Sequence, residues 1–162
     1  MKKLQKPLLA LGLVCGLGVA GQVLAQDCAT PLPIHSNDQN LPGDTCAAGN
    51  PLPTYGGTGS PQNEIVYSFT AQGADADVSI TATGGYAGTT AALFLLPACT
   101  AASDPIAFGA AGVPMHVGSL TDGSVYFITA TADPGGPNAG CGQYTVSVAG
   151  TLPVSLQNFS VE

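Results

Sequence analysis

The sequence predicts an all-β fold: a single antiparallel, jelly-roll-like β-sandwich, preceded by a cleaved signal peptide and a disulfide-closed irregular leader. Three observations predict it. After Ala25 there is no capped run of ten or more residues with a 3.6-residue apolar period, so helices are not expected. Short alternating or apolar segments recur instead, with turn residues roughly every 8 to 14 positions, which is the texture of a sandwich. Cys28, Cys46, Cys99 and Cys141 follow an export-type leader, and disulfides persist in exported chains.

Residues 1–25 read as the signal peptide. MKKLQK holds all three cationic side chains of the protein, the apolar run Leu8–Ala20 follows Pro7, and Val23-Leu24-Ala25 supplies small-residue cleavage chemistry, with the cut expected after Ala25. The apolar run is shorter than the roughly 20 residues that cross a bilayer. Cys15 is preceded by Val14 rather than a small residue, which argues against a lipidation signal. Processing would leave about 137 residues, enough for one domain, with ten Asp and Glu and no Lys or Arg. Such a chain has no cations to neutralise nucleic acid phosphates or to hold anionic lipid. It also lacks an Arg clamp or a Lys nucleophile. Ten like charges should repel one another, raise carboxylate pKa values, and make the fold firmest at mildly acidic pH.

Residues 26–61 form the leader, dense in Pro, Gly, Asn and Asp, with Leu32, Ile34 and Tyr55 expected to pack on a core. The sandwich occupies 62–150. In EIVYSFTA, Ile65, Tyr67 and Phe69 alternate with Val66, Ser68 and Thr70. ADADVSITATGG turns Val78, Ile80 and Ala82 inward and stops at Gly84-Gly85. TAALFLLPAC is a continuous apolar run, expected of a strand covered on both faces. IAFGA and PMHVGSL are shorter strands, SVYFITAT follows the Thr121-Asp122-Gly123 turn, and QYTVSVAG places Tyr144, Val146 and Val148 on one face. Residues 151–162 read as a last strand or a tether, with a phase slip between Leu156 and Phe159 suggesting a bulge.

Four cysteines allow three pairings. Cys28 with Cys46 and Cys99 with Cys141 is preferred, because the first would close a loop poor in regular structure and the second would tie distant strands. No CxxC spacing supports a metal site.

NEIVYSFTA, ALFLLPAC, the Leu-Thr-Asp-Gly turn into VYFITAT, and CGQYTVSV together resemble the bacterial pre-peptidase C-terminal domain family across Gln62–Ala149. The resemblance implies a jelly-roll-like sandwich, non-enzymatic, serving export, adhesion or substrate approach, with calcium taken by collagen-binding relatives. Ala92 stands where the family commonly has an acidic residue, and no peptidase precedes the domain.

Candidate site residues are few. Asp38, Asn40 and Asp44 offer oxygen donors in DQNLPGD, but Pro42 and Gly49 break the EF-hand pattern, leaving an irregular calcium site there or around Asp75 and Asp77. Tyr55, Tyr86 and Phe108 lie in or near loops and are the candidate aromatic platforms for a sugar. His35 and His116 are the two imidazoles, and no Gly-x-Ser-x-Gly elbow accompanies them. The expected function is a non-catalytic secreted or periplasmic module, not an enzyme, that binds an extracellular polymer, an envelope component or a partner protein. The alternatives are an assembly subunit that adds the terminal strand LPVSLQNFSV to a neighbouring sheet, and, last, a small hydrolase.

Overall fold

A computed structural model describes residues 27–59, 62–73, 75–86, 89–133 and 140–152. The expected signal peptide, the PGGPNA stretch from 134 to 139 and the tail from 153 onward lie outside the described residues.

Among the described residues, eleven strands and one 3-10 turn follow in order: β1 Leu32–Pro33, β2 Leu41–Asp44, the turn Thr45–Ala47, β3 Thr54–Tyr55, β4 Thr58–Gly59, β5 Ile65–Thr70, β6 Asp75–Gly85, β7 Ala91–Leu96, β8 Ala107–Ala110, β9 Met115–Gly118, β10 Val125–Ala132 and β11 Gly142–Thr151. The architecture is all-β. One sheet has the order β1-β5-β10-β7-β8, the other β2-β11-β6-β9, and β3 pairs with β4 in a small hairpin. Pairing is antiparallel apart from the two-residue β1, which joins β5 in parallel.

The two large sheets share one core. Ile65, Tyr67, Phe69, Leu93, Leu95, Ile128 and Ala130 come from the first sheet and meet Val78, Ile80, Met115, Val117, Tyr144, Val146 and Val148 from the second. Period-two alternation puts these residues on one side of each strand, so the apolar pattern sets the register. Ala82 departs from expectation and is exposed. Thr83 bulges between Ala82, opposite Tyr144, and Gly84, opposite Gln143, and β6 runs past the edge of the core there.

The leader belongs to the sandwich. It supplies β1 to the edge of one sheet and β2 to the edge of the other, and Ile34, Leu52 and Tyr55 are buried. This crossing corrects the expected cysteine pairing: the bonds are Cys28–Cys99 and Cys46–Cys141. Cys28 precedes the strand given to the first sheet, and Cys46 follows the strand given to the second, so each pairs with a cysteine of its own neighbourhood. Closing loops of 71 and 95 residues restricts the unfolded chain by about 4–5 kcal/mol each on the chain-entropy account.

A second, smaller core lies on the outer face of the five-stranded sheet. Leu52 and Tyr55 of the leader cover Ala92, Phe94 and Leu96 of β7, with Cys28, Cys99 and Phe127 at the margin. That is why β7 is buried along its whole length. The loop after β7 helps fasten the cover, since Ala101 and Ser103 carbonyls accept from the Thr54 hydroxyl (2.7 Å) and the Gly56 N–H (3.0 Å).

Candidate functional site

Two of the three candidate calcium ligands, Asp38 and Asp44, each accept a backbone N–H within their own loop. Asp38 Oδ2 accepts the His35 N–H at 2.7 Å and lies 3.4 Å from the His35 ring nitrogen, closing a short turn. Asn40 takes a left-handed backbone (φ 54°), and its N–H donates to the Ser147 hydroxyl. Asp44 caps the 3-10 turn by accepting the Cys46 N–H at 2.9 Å. Asp75 and Asp77 flank His116 across β6 and β9, at 3.8 and 3.1 Å, with all three side chains exposed. Among the described residues no group of three or more His, Cys, Asp and Glu is placed to hold a metal ion.

The candidate aromatics separate into three environments. Tyr86 is buried at the end of β6, with φ at 51°; its hydroxyl meets Thr45 Oγ1 at 3.2 Å, and its ring occupies the space above Gly142. Tyr55 is buried on the outer face, 4.8 Å from the Phe94 ring centroid. Phe108 is half exposed on edge strand β8 and lies 5.1 Å from Phe94, to which it is directly paired across the strands. Tyr55, Phe94 and Phe108 therefore form a row of tilted rings, buried at one end and open to solvent at the other. Ile106, just before β8, and Val113, bridged to Ala110 just after it, are also exposed, at 51 % and 61 %.

Depressions along the flanks of the sandwich include two of similar size. One, of about 390 Å³, lies over the β2–β11 pair and is lined by Gly43, Asp44, Ile65, Gln143 and Tyr144 among others. The other, of about 380 Å³, lies beside β1 and includes His35, Ser68, Thr70, Gln72 and Val125. His35 and Ser68 both line this second depression, and Asp38 Oδ2 lies 3.4 Å from the His35 ring nitrogen.

The sequence reading passed over Glu64. It is 1 % exposed, at the start of β5 on the side that the leader covers. Its Oε1 accepts the Leu52 N–H at 2.6 Å, its Oε2 accepts the Tyr55 hydroxyl, and Tyr55 also meets Thr129 Oγ1 at 3.0 Å. Burial pushes the Glu64 carboxyl up to about 7, against the pull of those two hydrogen bonds. It likewise pushes the Tyr55 hydroxyl far above its usual range, which keeps that group a donor. Self-repulsion was the expected cause of raised carboxylates, and burial is the operative one here. Asp27 moves the other way, lowered by the Thr30 and Ala29 N–H groups it accepts. The signal for Glu64 was its phase: it shares the outer side with Val66, an apolar residue on a face that would otherwise be wet.

Two disulfides suit an oxidising, extracellular-type environment, and among the described residues no helix is long and apolar enough to cross a membrane. Compared with known proteins, the chain matches no family model, no curated protein and no solved structure.

Proposed function

We propose that the chain is a non-catalytic, exported β-sandwich module that binds an uncharged extracellular or envelope polymer along its β8 edge. The observation that carries this reading is the exposed apolar strip Ile106, Phe108 and Val113, backed by the buried Phe94 and Tyr55 rings. A half-exposed ring packed on Phe94, which is itself packed on Tyr55, is pre-oriented, so little side-chain freedom is lost when a flat apolar surface, such as one face of a sugar ring, stacks on it. The charge balance favours an uncharged partner, because a chain without Lys or Arg after Lys6 offers an anionic polymer no counter-charge. An exported, non-enzymatic module is also what the resemblance to pre-peptidase C-terminal domains implies.

The test is depletion of the purified protein onto insoluble glucan, chitin and washed cell envelopes. Phe108→Ala and Ile106→Ser should each weaken adsorption by about tenfold, as expected of a central anchor, with the β-sheet circular dichroism spectrum retained in both. Equal adsorption by both variants and the parent would overturn the reading.

A further inference from the structure

Glu64 raises a question that binding at β8 does not answer: an acid is enclosed with no cation, in a chain whose lysines all precede residue 7. The segment from Gly49 to Gly59 closes over it. Gly49 accepts the Glu64 N–H at 2.9 Å, and Leu52 and Tyr55 reach its two carboxyl oxygens. The same segment covers Ala92, Phe94 and Leu96. It is anchored at both ends, by Cys46–Cys141 on one side and by β5 on the other, and its middle is held by Thr54 and Gly56 to the loop after β7, so lifting it also breaks those two hydrogen bonds.

We propose that Glu64 is a pH-dependent latch: with its carboxyl protonated it holds segment 49–59 shut over the outer apolar face of the five-stranded sheet, and on ionisation it lets that segment lift. The latch stands on the enclosure of Glu64, 1 % exposed with no cation beside it, which outweighs the Leu52 and Tyr55 donors that favour the carboxylate, and it does not depend on what binds β8.

The direction follows from linkage. The closed state holds the carboxyl near 7 and a lifted, hydrated state returns it to its ordinary 4.5. Below that ordinary value both states are protonated and the latch has its full strength. As pH rises from there through about 7, the lifted state gains by up to about tenfold per pH unit, and the gain levels off above. The groups facing Glu64 do not interfere. Tyr55 remains protonated, and β10 and β7 present Thr129, Thr131, Ala92 and Phe94. Asp104, against Gly56, and Asp133, just beyond β10, are acids and supply no counter-charge.

Amide hydrogen exchange on the intact protein tests this, read at Leu52 and Gly56 between pH 4.5 and 7.5 and corrected for the intrinsic pH dependence of exchange. Protection at both amides should fall by on the order of 100-fold across that range, while Leu95 and Ile128 stay protected. In Glu64→Gln the fall should vanish. If that variant does not fold, Tyr55→Phe serves: the closed carboxylate loses a donor, so the upper end of the transition should move to higher pH. Flat protection at Leu52 in the parent, the same fall in Glu64→Gln, or an unmoved transition in Tyr55→Phe would each overturn the latch.

Discussion

Gly43 shows how one missing carbon sets the packing at the residue scale. It pairs with Tyr144 across β2 and β11, and a Cβ there would stand 2.2 Å from the Tyr144 ring. The ring has nowhere to retreat: it is 1 % exposed, and its hydroxyl meets that of Tyr67 at 2.9 Å in the shared core. Gly43→Ala should therefore cost about 1–3 kcal/mol, read as a lower thermal midpoint. Gly49→Ala, where a Cβ meets nothing within 4 Å, should change it by less than about 0.5 kcal/mol. Of the residues that matter here, Tyr144, Val146 and Val148 were readable because strict alternation marks a half-buried strand. Glu64 was not. A charged residue at the head of a strand reads as solvent-facing unless something covers that side, and the cover comes from a segment with no periodicity of its own.

At the scale of elements, β7 is the clearest case of a sequence announcing its environment. Six consecutive apolar residues require cover on both faces, and the structure supplies the opposite sheet inside and the leader outside. Leu95→Ala should cost about 2–5 kcal/mol in chemical denaturation, because Leu95 points into the shared core and the cavity cannot refill from solvent. The leader strands had no such signal. β1 has two residues, too few for a period, and β2 is Leu-Pro-Gly-Asp, composed mostly of residues that disfavour strands. Pairing with the long β11 outweighs those local preferences. The bulge at Thr83 was equally hidden, since the alternation on either side of it reads as continuous.

For the molecule as a whole, the strand texture announced the fold class and the export-type leader the involvement of the four cysteines after Ala25, while their pairing depended on a path that no local pattern records. The leader passes from one sheet to the other between Cys28 and Cys46, so neighbours in sequence end in different places. The two closed loops, 28–99 and 46–141, overlap, and that has a consequence for survival among secreted proteases. Any single backbone cut between Cys28 and Cys141 falls inside at least one loop and leaves both fragments joined through sulfur. With bonds between 28 and 46 and between 99 and 141, a cut in the intervening stretch would have split the protein in two. Thermolysin nicking followed by electrophoresis should show one band without reductant and two with it, and a clipped molecule of this kind stays whole until something reduces it.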